Sequence, residues 1–150
     1  NNIKEIIDRA HHKKMKIVFN PAPFNNEILG YDLNKISTLI LNQTEGEALS
    51  KEKKPDGILK VLNSKFNNTE IILTLGEKGS FYSFKDELLK IKAHKLDTVD
   101  TTGAGDTFIG YYVAGIASEI SKKENLNRAS NAAAIATTKL GGAESLPRIN

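Results

Sequence analysis

Apolar and polar positions follow two rhythms along these 150 residues. Ile3, Ile6, Ile7 and Ala10 recur at helical spacing, which predicts an amphipathic helix at the start. Three short apolar runs follow, Lys16 to Asn20 (KIVFN), Thr38 to Asn42 (TLILN) and Ile71 to Leu75 (IILTL), each bounded by polar or turn residues. Runs so short and so uniformly apolar predict strands buried on both faces, as in a parallel sheet. Helices are predicted around Glu45 to Ser50 and Gly57 to Phe66, the second announced by Pro55 and Asp56. Ser80 to Phe84 and Leu88 to Ala93, separated by Lys85-Asp86-Glu87, read as a hairpin. Thr107 to Ile120 and Asn127 to Leu140 read as two long helices whose many small side chains suit close packing. Strand then helix, repeated, predicts an α/β architecture with a largely parallel sheet. The chain opens almost inside a helix and stops just after a loop (SLPRIN), so both ends are expected to cut through a larger fold.

Composition narrows the classes. A chain of this length can form one domain, burying roughly 70% of its unfolded surface. A hydrophobic share of 39% and a charged share of 26% describe an ordinary globular protein. The net charge of +3 comes from scattered lysines rather than a stripe, which argues against a nucleic-acid partner. Cysteine is absent, so there is no disulfide framework and no thiolate metal site; a reducing compartment, the cytoplasm, is the expectation. No apolar run approaches the roughly 20 residues of a membrane helix.

The chemistry concentrates in DTTGAGD, Asp100 to Asp106. Gly103 and Gly105 let the backbone approach a ligand without a Cβ in the way. A glycine-rich loop feeding a helix presents free N–H groups to an anion, and the macrodipole adds to the attraction. Asp106 then has two readings. It is a helix-start carboxylate, or it is a general base beside an anion hole, taking a proton from an attacking hydroxyl. Gly103, Gly105 and Gly110 do not fit the GxGxxG dinucleotide fingerprint, and no Gly-Lys-Ser/Thr follows as a Walker A loop requires. A plain glycine-rich turn with a cap remains the competing reading, and phosphate binding is the modestly favoured one.

DTTGAGDTFIGYY resembles the C-terminal signature of the ribokinase family, the PfkB-like carbohydrate kinases. NPAP at Asn20 to Pro23, NQTEGEAL at Asn42 to Leu49, TLGEKG at Thr74 to Gly79 and the tail KLGGAESLP resemble further family segments in the family's order. The resemblance implies a ribokinase-like three-layer α/β/α fold, here the C-terminal, ATP-binding portion, without the N-terminal half and its β lid. It implies ATP-dependent phosphorylation of a sugar hydroxyl, the 5-hydroxyl of D-ribose in ribokinases proper. Fructokinase-like or adenosine-kinase-like activity stays open, as does a truncated, non-catalytic nucleotide-binding module.

Residue by residue, Asp106 matches the family's catalytic base, and Gly103, Ala104 and Gly105 its anion hole. Asn42 and Glu45 match the pair that organises Mg²⁺ and the nucleotide phosphates, Glu45 acting directly or through water. By spacing alone, Glu45 reads instead as a solvated helix-start glutamate. Thr74 and Gly76 would line the nucleotide, Gly79 would shape that loop, and Asn131 would meet the adenine edge. Asp100 and the backbone of Thr102 would hold a monovalent cation, K⁺, together with the carbonyls of Thr137, Lys139 and Gly142 and the hydroxyl of Ser145. The cofactors implied are ATP, Mg²⁺ and K⁺; the partners are a small sugar and ATP, with neither nucleic acid nor membrane. The complete protein would be a homodimer joined through the lid. NPAP reads as a stiff turn, Tyr111 and Tyr112 as packing residues, and His11, His12 and His94 take no role. Nothing in the chain matches the family's sugar-binding segments, so these residues are expected to hold the ATP side and the base but not the sugar pocket.

Overall fold

The computed structural model describes residues 2–142 and Pro147. The chain divides into two compact units, Asn1–Leu75 with Phe81–Lys90, and Gly76–Ser80 with Ile91–Asn150. Each is described by itself.

The first unit begins with helix α1 (Ile3–His12), as the opening periodicity predicts, and continues through a short strand β1 (Val18–Phe19). Two 3₁₀ turns, Asn26–Gly30 and Leu33–Lys35, follow; neither has an apolar period long enough to show in the sequence. Strand β2 (Thr38–Asn42) runs into α2 (Gln43–Ser50), then α3 (Pro55–Lys65) and β3 (Glu70–Thr74). β1 pairs parallel with β2 and β2 parallel with β3, with Asn42 opposite Thr74 in register. β4 (Ser80–Phe84) and β5 (Glu87–Ile91) extend the sheet in the order β1-β2-β3-β4-β5. Lys85 and Asp86 alone join that last pair, a connection only antiparallel neighbours can use, so the sheet is mixed.

Side-chain alternation along β2 and β3 explains the core. Leu39, Leu41, Ile71 and Leu73 cluster with Leu49 of α2 and Ile58, Leu59 and Leu62 of α3. Ile40 and Ile72 face the other way and are buried as well, as the uninterrupted apolar runs predict. Each such side chain contributes about 1.5–3 kcal/mol on full burial. α2 lies tight against this core. A Cβ on its Gly46 would come 3.0 Å from both Ile58 Cγ2 and Leu73 Cδ1.

The second unit is dominated by α4 (Ala104–Ala117) and α5 (Lys122–Ala136), which pack on each other. Gly115 leaves a notch for the buried Asn125, whose Nδ2 donates to the Tyr112 carbonyl at 2.9 Å. Phe108 and Tyr112 stack, and Leu126, Ala129, Ala132 and Ala136 complete the seam. α5 starts five residues before the predicted Asn127 because Ser121 caps it, accepting the Glu124 N–H. It ends at Ala136, where Thr137 and Thr138 turn their hydroxyls back onto Ala134 and Ile135.

The turn Gly76–Lys78 also belongs to this unit, and Gly79 closes it with φ +89°. A Cβ on Gly79 would overlap the Ile91 carbonyl oxygen and crowd the Ala93 nitrogen at 2.8 Å. Positive φ and backbone overlap act together, so Gly79→Ala should cost about 2 kcal/mol or more. Urea unfolding of the two proteins measures this; equal midpoints would show that this close approach does not occur.

Candidate active site

In the first unit, polar residues stand at the carboxyl ends of three neighbouring strands: Asn20 just after β1, Asn42 closing β2 and Thr74 closing β3. Parallel sheets bind ligands at that edge. Asn42 and Glu45 form a capping box: Asn42 Oδ1 accepts the Glu45 N–H at 2.9 Å, and Glu45 Oε2 accepts the Asn42 N–H at 2.9 Å. Thr74 Oγ1 donates to the Leu41 carbonyl at 3.2 Å.

Glu45 is only 4% exposed, which overturns the reading of a solvated helix-start glutamate. Gly46 draws α2 onto α3 and β3, and that packing takes Glu45 out of water. Its Oε2 also receives Asn20 Nδ2 at 3.4 Å, while Oε1 accepts no hydrogen bond among the described residues. Asn20, read from sequence as part of a stiff turn, is therefore a member of this cluster. Among the described residues no group of three or more His, Cys, Asp or Glu is placed to hold a metal. One buried carboxylate with a free hard oxygen fits Mg²⁺, which keeps most of its waters and asks few protein ligands.

In the second unit, Gly103 is the N-cap of α4 and adopts φ +78°, a left-handed conformation that glycine takes without steric cost. Its carbonyl accepts both the N–H and the Oγ1 of Thr107, each at 2.8 Å. The Ala104 N–H is committed to the Thr101 carbonyl at 3.2 Å. Those of Gly103, Gly105 and Asp106 make no hydrogen bond among the described residues. The helix start thus leaves three N–H groups without partners among the described residues, while that of Ala104, assigned to the anion hole by resemblance, is turned to Thr101. Asp106 is exposed in the first turn of α4.

Asp100 is placed differently. Its Oδ1 accepts the Thr102 N–H at 2.9 Å and its Oδ2 the Gly141 N–H at 3.2 Å. These bonds, the Thr102 N–H first, hold its carboxyl below the usual aspartate value. The Thr137 carbonyl accepts the N–H groups of Val99 at 2.7 Å and Asp100 at 3.0 Å, which occupies both its lone pairs. Ser145 lies outside the described residues. Asp100 acts here as a clip between the loop before α4 and the chain after α5.

Gly76 turns the chain after β3 with φ +57° and open space beside it. Asn131 is exposed on α5 and lines an open groove of about 430 Å³ with Ser121, Lys123, Glu124, Asn127 and Arg128. His94, given no role by the sequence, lines it too. Its surroundings in sequence are Lys-rich, and only the fold brings it beside α5.

The pfkB family carbohydrate kinase model matches residues 1–149. Ribokinase of Haemophilus influenzae is 37% identical over 144 residues, covering 92% of this chain and 46% of that protein. Fructokinase-2 of Zea mays is 42% identical over 86 residues, covering 53% of this chain and 26% of that protein. Ribokinase from Cryptococcus neoformans var. grubii, solved in complex with ADP, superposes with a TM-score of 0.86 at 30% identity. That match covers 97% of this chain and 53% of the other. The chain thus spans about half the length of the ribokinases it matches; these lengths measure how much of each is spanned, not which stretch. No helix among the described residues is long and apolar enough to cross a membrane. With the ribokinase-like α/β fold and a family match along nearly its whole length, the chain belongs to the pfkB family of carbohydrate kinases.

Proposed function

We propose that this chain supplies the ATP side and the catalytic base of a kinase that transfers the γ-phosphoryl group of ATP to a sugar hydroxyl. D-ribose is the proposed acceptor and D-ribose 5-phosphate the product. The observation that carries the reading is the start of α4, where the N–H groups of Gly103, Gly105 and Asp106, without partners among the described residues, share the first turn with the exposed carboxylate of Asp106. Amides fixed by the left-handed Gly103 would stabilise charge on the transferring group without reorganising. The carboxylate of Asp106, the last of these three residues, would take the proton from the attacking hydroxyl. The ribokinase names of the relatives support ribose. The match to fructokinase-2 of maize keeps a second reading, another sugar of the same chemical class.

Glu45 would hold Mg²⁺ through its free oxygen or through a metal-bound water, with Asn42 at the same strand end. When bound, that ion neutralises phosphate charge during transfer. Thr74, Gly76 and Asn131 would serve the nucleotide, Asn131 from the wall of the open groove on α5. Catalysis of this kind rests on positioning and electrostatics rather than covalent chemistry.

In the complete kinase, Asp106→Asn should lower kcat by at least about 10²-fold while ATP affinity stays within about twofold. Steady-state kinetics with a binding titration checks this, and undiminished turnover would remove the base from Asp106. Asp100 gives a second test, through pH. Its folded-state value is depressed, so the clip is present throughout the neutral range and is lost only as pH falls through that lowered value. Carboxyl-carbon NMR should show Asp100 titrating below ordinary aspartates, the Thr102 and Gly141 amides moving at the same midpoint. An ordinary midpoint would mean that the clip is not made.

A further inference from the structure

We infer that Asn20 is a positioning residue for the metal, holding one oxygen of Glu45 so that the other is presented to the ion. The inference rests on the reading of Glu45 as the Mg²⁺ residue. Its basis is a division of labour between two oxygens of one buried carboxylate. Oε2 takes the Asn42 N–H at 2.9 Å and Asn20 Nδ2 at 3.4 Å, and Oε1 takes nothing among the described residues. Glu45 is 4% exposed, and Oε1 keeps an opening to solvent through which a cation or its water can reach it.

Asn20 suits the task by its donor count. Nδ2 also donates to the Ile40 carbonyl at 2.8 Å. Both partners are acceptors, so only the amide NH₂ can serve them, and its two protons allow one nitrogen to bridge both. Aspartate has no proton to give, and a serine hydroxyl has one. The short bond to Ile40 anchors the side chain to β2, the strand that Asn42 closes. The longer reach to Oε2 fixes the direction of the carboxylate more than it adds energy. Pro21, which follows, fixes its own φ and is buried, so the residue is held from both sides. Asn20 is neutral, and therefore restrains Glu45 without competing for the cation.

The test uses the complete kinase, Mn²⁺ as the metal probe and a non-hydrolysable ATP analogue. Asn20→Ala removes both donated bonds, and Asn20→Leu removes them while filling the space. Both should raise the Mn²⁺ dissociation constant about tenfold, in the range seen when partners of metal ligands are lost. Affinity for the metal-free analogue should stay within about twofold. Glu45→Gln is the control for the underlying reading. If it leaves Mn²⁺ binding unchanged, the metal role of Glu45 falls and this inference with it. If it weakens Mn²⁺ binding but neither Asn20 variant does, Asn20 positions nothing and the role of Glu45 stands. If metal and nucleotide affinities fall together in both Asn20 variants, the residue serves packing and the inference is overturned.

Discussion

The first unit is organised around a carboxylate taken out of water. Glu45 keeps 4% of its surface, and a charge so placed needs donors or a counter-ion. The strand-to-helix junction provides the donors. β2 stops at Asn42, the first turn of α2 leaves N–H groups free, and the capping box uses them in both directions. Such a cap is worth about 1 kcal/mol, whereas burying an ion costs several. Asn20 adds a further donor to Oε2, while Oε1 has no partner among the described residues and keeps an opening to solvent. Gly46 favours the burial, since a Cβ there would come 3.0 Å from side-chain atoms of Ile58 and Leu73, which would have to give way. Cap, packing and chemistry are thus joined in the short run from Asn42 to Gly46.

The second unit uses carboxylates in the opposite sense. Asp106 is exposed, and what is controlled is its setting. The Gly103 carbonyl is closed off by two donors from Thr107, which fixes the first turn and leaves the N–H groups beside Asp106 unspent. Asp100, of the same residue type and in the same motif, has both oxygens occupied by N–H groups and works as a fastener. A base must have an unengaged oxygen and access to its proton donor; a clip must have neither. Hydrogen bonding, not residue identity, separates the two.

These contrasts mark what the sequence could and could not convey. The uniform apolar runs of β2 and β3 follow from burial on both faces, so strands and architecture were readable from local pattern. Element ends were less so: α5 begins where Ser121 supplies a cap, and the 3₁₀ turns leave no period. Spacing alone makes Glu45 a solvated glutamate, because spacing reports a helix position and says nothing of how tightly the helix is seated. Asn20 was passed over because its partner stands 25 residues further along the chain. A signal for it existed: three adjacent strand ends, each closed by an amide or hydroxyl side chain. The engaged lone pairs of Thr137 and the committed N–H of Ala104 are properties of backbone direction, which motif matching does not carry.

The same separation of local from distant information bears on specificity. Relatives named for different acceptors, ribokinases and a fructokinase, match parts of this one chain. Proteins that phosphorylate different sugars must all handle phosphate, metal and proton, and the groups proposed for those tasks here are N–H groups without partners among the described residues, a buried carboxylate and an exposed one. None of them depends on which hydroxyl attacks. Discrimination between sugars requires polar groups matched to the whole ring, because an unmatched buried donor or acceptor is what penalises the wrong substrate. The resemblance to ribokinases therefore argues more strongly for phosphoryl transfer than for ribose.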